Sequence, residues 1–197
     1  RMLESMRKLV AAAPANIAWQ NQLGLAHNNL AKMALLAGDL PGAVAGYRAD
    51  LGIEAVLAKQ DPRNNAQAER VVFARGALGR TLALTGELDQ GATQLQAALD
   101  GSRTLVALEP DSASFVEDVG LYAGQLARLR RLQGHAAAAS TLAAQSLATA
   151  DALLANVPAG VEIAAVHGNV PGRTVTLLAD LLATAEHPQL DATHDAI

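Results

Sequence analysis

The sequence predicts an all-α chain, an α-solenoid of stacked antiparallel helical hairpins, from three observations. Prolines and glycines return at a fixed interval: Pro14, Pro62, Pro110 and Pro158 are each 48 residues apart, and Gly38, Gly86 and Gly134 keep the same spacing. Between them, apolar residues recur with the 3.6-residue period of a helix that buries one face. The composition agrees, since 51% of the residues are apolar while only 3% are aromatic. Most of that apolar content is alanine and leucine, which favour helices over strands.

Each unit reads as two helices. After each of the first three prolines stands Asn16, Asn64 or Ser112, whose side chains can accept a bond from a free N–H at a helix start. A first helix of roughly 20 residues then runs to the glycine, where a left-handed turn costs least without a Cβ. The second helix opens near Pro41 and its counterparts Asp89 and Ala137. It ends before the next proline, which cannot continue it. Along the first helices the core stripe reads Leu23, Ala26, Leu30, Met33, then Val71, Ala74, Leu78, Thr81, then Val119, Tyr122, Leu126, Leu129. A lone hairpin cannot bury such a face, so the units are expected to stack.

The expected organisation is a repeat array over residues 1–158, with a partial unit at 1–13 and full units at 14–61, 62–109 and 110–157. Residues 1–13 align with the second half of a second helix, because Leu9 precedes Leu57, Leu105 and Leu153 by the repeat interval. The expectation is a piece of a longer protein, or a first helix that is shortened. Residues 159–197 are expected to form degenerate capping helices and a tail. Gly168, Pro171 and Gly172 interrupt the pattern there, leaving a short helix near Val161 and another from about Thr174 to Glu186.

The turn region resembles the tetratricopeptide repeat, whose signature runs W-x2-L-G-x2-Y, then A-x3-F, then proline. Leu78-Gly79 matches the L-G pair, and Ala43 with Tyr47 matches A-x3-F, while His27, Arg75 and Ala123 stand at the tryptophan position. The family unit has about 34 residues, so each helix here is longer by close to two turns, which returns the buried face to its direction. The resemblance implies a right-handed superhelix whose first helices line a concave, peptide-binding face. The first unit is also similar to long repeats of large bacterial multidomain signalling proteins, which join such arrays to a kinase, a nucleotide switch or a protease-like effector.

On the face the resemblance makes concave, the stripe reads Leu25, Asn28, Lys32, then Phe73, Gly76, Arg80, then Leu121, Gly124, Arg128, Arg131. Lys32, Arg80 and Arg128 form an in-register cation column beside an apolar column of Leu25, Phe73 and Leu121. One reading is a groove for a protein or peptide segment bearing acidic and apolar residues, with Gly76 and Gly124 allowing close approach. The other is a solvated face whose glycines let helices pack. The expected function is a non-catalytic protein–protein interaction module, a scaffold or adaptor. The alternative is a sensory or autoinhibitory region of a larger bacterial signalling enzyme.

Other chemistry finds little footing. With no cysteine there is no thiolate site or disulfide, and no phosphate loop, serine elbow or H-E-x-x-H run is present. No enzyme activity, cofactor or metal is expected. His187, Asp191, His194 and Asp195 have helical spacing but fall in the expected tail, and His27, His135 and His167 read as surface or edge positions. Glu54, Glu69, Glu117 and Asp118 read as solvated carboxylates. A formal charge of −4 gives no electrostatic reason for nucleic acid. No apolar run reaches 18 residues, so no membrane span is expected and the cytoplasm is the default compartment. An apolar edge at the first unit offers a route to dimerisation.

Overall fold

A computed structural model describes residues 2–155, which form seven α-helices and, among the described residues, no strand. They are α1 (Met2–Ala12), α2 (Ile17–Leu36), α3 (Leu40–Gln60), α4 (Asn65–Leu84), α5 (Leu88–Leu108), α6 (Ala113–Leu132) and α7 (Ala136–Ala155). The helices expected near Val161 and over 174–186, and the residues His167, His187, Asp191, His194 and Asp195, lie outside the described residues. The chain divides into two compact units, Arg1–Leu108 and Glu109–Ile197. No described helix is long and apolar enough to cross a membrane.

Local chemistry sets the helix ends. Asn16 and Asn64 accept from the backbone N–H three residues on, at 3.1 and 3.0 Å, which satisfies a donor that the helix leaves open. Ser112 occupies the same position without a side-chain capping bond. At the other end, Gly38, Gly86 and Gly134 have φ of 77°, 83° and 80°. The N–H after each glycine reaches back to Ala34, Leu82 or Arg130 at 2.9, 2.9 and 2.8 Å. This is the Schellman closure, in which a left-handed residue lets two late N–H groups satisfy the last carbonyls. Gly86→Ala is therefore expected to cost about 1–2 kcal/mol, because a Cβ at positive φ meets the following carbonyl; urea unfolding of the two proteins measures it.

In the first unit, α2 pairs with α3, α4 pairs with α5, α3 packs on α4, and α1 lies on α2. One apolar cluster joins the two hairpins: Ala31 of α2, Ala43, Val44 and Tyr47 of α3, and Ala77, Leu78 and Leu82 of α4. Small residues set the spacing of paired helices. A Cβ on Gly79 would stand 2.8 Å from Leu95 Cγ and 3.0 Å from the Gly91 carbonyl oxygen, so α4 and α5 meet nearly backbone to backbone. Polar contacts add to the junction between hairpins: Arg48 Nη2 lies 3.9 Å from Glu87 and donates to Gln90 at 3.4 Å. Both are exposed and contribute little.

In the second unit, α6 pairs with α7. Ser146 Oγ, fully buried, donates to the Gly120 carbonyl at 2.8 Å. Phe115, Tyr122, Leu126 and Leu129 are buried on α6.

Apart from the half-buried Val71 and Val119, the expected core stripe is buried on α4 and α6, whereas on α2 only Ala26 of it is buried. Leu78 and Thr81 are 3% and 1% exposed, whereas their counterparts one repeat earlier, Leu30 and Met33, are 47% and 64% exposed. Met33 is more apolar than Thr81 and Leu30 is the same residue as Leu78, so what differs is the neighbour. On α4 this face meets α3, and on α2 the shorter α1 leaves Leu30 and Met33 open. His27, Glu54, Glu117 and Asp118, read from sequence as surface groups, are also buried. Glu69 is half-buried and His135 exposed, the latter as expected.

Candidate functional site

The expected groove residues of the first unit fall on α2 and α4. Leu25, Lys32 and Arg80 are exposed, Asn28 and Phe73 half-buried, and Gly76 buried. The burial of Gly76 fits the reading in which that glycine serves helix packing. In the second unit, Leu121 and Gly124 are half-buried, and Arg128 and Arg131 exposed. Each first helix thus carries an exposed cation at the same repeat position.

Beneath Lys32 the structure places a feature the sequence reading missed. The carboxylates of Asp50 and Glu54, one turn apart on α3, are both buried, at 4% and 3% exposure. They fit because α2 offers Gly24 at the crossing. A Cβ there would sit 2.7 Å from Glu54 Oε1 and 3.2 Å from Asp50 Oδ1. Two amides serve the pair from opposite sides. Asn28 Nδ2 of α2 donates to Asp50 Oδ2 at 2.8 Å, and Gln67 Nε2 of α4 donates to Glu54 Oε2 and to the Glu54 carbonyl, the latter at 3.3 Å.

Electrostatics follow from that burial. Desolvation pushes the Asp50 carboxyl above its usual range, and the Asn28 bond and the charges of Lys32 and Arg70 pull it back. Desolvation also raises Glu54; the Gln67 bond and Arg70 lower it, while the neighbouring Asp50 charge raises it further. The phenol of Tyr47, one turn before Asp50, is pushed up by burial and, more weakly, by Asp50, and pulled down by Arg80. His27 is pushed down, first by burial and then by Arg7. Lys32, Arg70 and Arg80 thus surround a stripe of α3 that holds two buried acids, so part of the expected cation column answers charge from within the unit.

The arrangement can hold a proton on a buried acid pair and can present cations outward. Among the described residues, no three His, Asp or Glu side chains gather as a metal site requires. The signal that could have revealed the acid pair lay in the repeat columns. One repeat on, the positions of Asp50 and Glu54 are Ala98 and Ser102, and Gly24 answers to Val72. Acids at positions otherwise small, opposite a residue without a side chain, mark a polar core seam rather than a solvated face.

No family model matches the chain, and no curated protein does. Among solved structures, the fold is similar to that of BtubC (BKLC) from P. vanneervenii, with a TM-score of 0.57 over 93% of this chain and 69% of that chain, at 20% identity. At that identity the likeness speaks to the all-helical fold alone.

Proposed function

We propose that the chain is a non-catalytic protein–protein interaction module: an α-solenoid of long tetratricopeptide-like hairpins whose inner face receives a peptide or protein segment bearing acidic and apolar residues. The observation that supports this reading is the exposed cation at one repeat position of each first helix, Lys32, Arg80 and Arg128. Leu25, exposed on the helix that carries Lys32, supplies apolar surface beside the first of them. Cations on a rigid helical frame orient a carboxylate-bearing segment at low entropic cost and speed its encounter.

The test is charge reversal. The triple variant Lys32→Glu, Arg80→Glu, Arg128→Glu is expected to weaken capture from an array of acidic–apolar peptides by at least about tenfold. All three positions are exposed, so helical content stays close to that of the parent, while melting falls modestly because Lys32 no longer offsets the charge of buried Asp50. Capture that survives the triple reversal removes the cation column from the mechanism.

A further inference from the structure

Each of the two buried acids is held by an amide, and each amide has an exposed cation one turn further along its own helix. On α2, Asn28 donates to Asp50 at 2.8 Å, and Lys32, four residues on, is exposed. On α4, Gln67 donates to Glu54, and Arg70, three residues on, is exposed. Positions three and four apart share a helix face, so each cation lies on the face its helix turns to the acids. The acids are also close to one another: Glu54 Oε1 and Asp50 Oδ1 would stand 2.7 and 3.2 Å from one and the same Cβ on Gly24. Two charges at that range oppose each other, and burial leaves little water to screen them. The pair therefore depends on Lys32 and Arg70 for the countercharge that keeps it ionised.

Lys32 is also the cation read above as a contact for an acidic partner, and it cannot serve both at full strength. We infer that an anionic group docking at Lys32 is bound together with a proton, taken from solvent onto the Asp50–Glu54 pair, so that capture is stronger in acid than at neutral pH. This rests on the reading of Lys32 as a partner contact. A carboxylate seated there sets a negative charge on the side from which Asp50 draws its positive one. The pair answers by taking up a proton, and a protonated carboxyl still accepts from Asn28 or Gln67, so the seam keeps its hydrogen bonds. The other titratable neighbours are accounted for. Tyr47, on α3 itself, is tied to Asp50 and Arg80 and is raised above 10.0, so it stays neutral throughout. His27, buried on α2, answers to Arg7 of α1 and is common to the parent and the acid variants. By linkage, capture is weakest where both acids are charged and tightens as pH falls through their raised range.

Carboxyl-detected NMR titration tests the coupling without a partner, because Lys32→Glu plants a carboxylate where the partner's would sit. Asp50 and Glu54 are expected to titrate at higher pH in Lys32→Glu than in the parent, with Lys32→Gln between them. Calorimetry with a synthetic peptide of alternating glutamate and leucine supplies the second arm. Its binding heat is expected to change with the ionisation heat of the buffer, reporting uptake of a fraction of a proton, and its affinity to rise about three- to tenfold from about pH 8 to about pH 5.5. The peptide's own carboxyls titrate lower, near about 4. Asp50→Asn with Glu54→Gln is expected to keep capture while losing both the buffer dependence and the pH dependence; if that variant disturbs folding, Asp50→Asn alone makes the comparison. Acids that titrate alike in the parent and in Lys32→Glu overturn the inference, and so does capture without proton uptake. A peptide that goes unbound while the acids still follow the charge at position 32 counts against the peptide reading and upholds the coupling, so the two failures are distinguishable.

Discussion

Leu78→Ala is expected to lower the unfolding free energy by about 2–5 kcal/mol, while Leu30→Ala, the same position one repeat earlier, is expected to change it by about 0.5 kcal/mol or less. The two leucines hold the same repeat position, and their covering differs. Leu78 is buried in the cluster that joins both hairpins of the first unit. Truncating it removes transfer energy and leaves a cavity between Val44, Tyr47 and Leu82 that helices held by close contacts cannot collapse to fill. Leu30 has water on one side already, so its truncation opens no cavity. Urea unfolding of the two variants beside the parent, at low protein concentration, gives the comparison. Equal losses would mean that α3 does not cover α4 as described.

The second large effect concerns the buried acids. Asp50→Asn with Glu54→Gln is expected to raise stability at neutral pH by about 1–3 kcal/mol, because neutral amides of the same size keep the hydrogen-bonding frame without the desolvation cost of two nearby charges. The pH dependence has a definite sign. Both carboxyls are raised above their ordinary values of 3.8 and 4.5, so the folded chain binds these protons more tightly than the unfolded chain. That contribution is complete below the ordinary values and is lost as pH rises through the raised ones. The advantage of the double amide variant is therefore expected to shrink as pH is lowered towards 4. His27 acts in the opposite sense. Its pKa is depressed from 6.5, so its contribution is present above 6.5 and lost as pH falls through the depressed value. Comparing the double variant with the parent across pH cancels the His27 contribution. An advantage that stays constant with pH would show that the acid pair does not titrate as a buried group.

These two cases mark what was legible in the sequence. The helix ends were readable because their causes are local: Asn16 and Asn64 cap within three residues, and Gly38, Gly86 and Gly134 sit where only a left-handed residue closes the turn. The burial of Leu78 and the exposure of Leu30 were not separable by periodicity, since a stripe tells which face is apolar and not whether a neighbour covers it. Asp50 and Glu54 were missed for a related reason. Charged residues are solvated by default, and their burial here depends on Gly24 from α2 and Gln67 from α4, contacts that arise only in three dimensions. Of the expected groove, Asn28 is drawn into this acid seam, while Lys32, Arg80, Arg128 and Arg131 remain at the surface.

The central claim is that a hairpin of this chain is held by the hairpin beside it. Far-ultraviolet circular dichroism of residues 14–61 alone, set beside residues 1–108, tests it most directly. The single hairpin lacks the α4 side of the Val44–Tyr47–Leu78–Leu82 cluster, and most of a protein helix's stability comes from the packing of its apolar face rather than from propensity. It is expected to show little helix and no cooperative melt, while 1–108 melts cooperatively. A lone 14–61 hairpin with full helicity and a sharp transition would contradict the account.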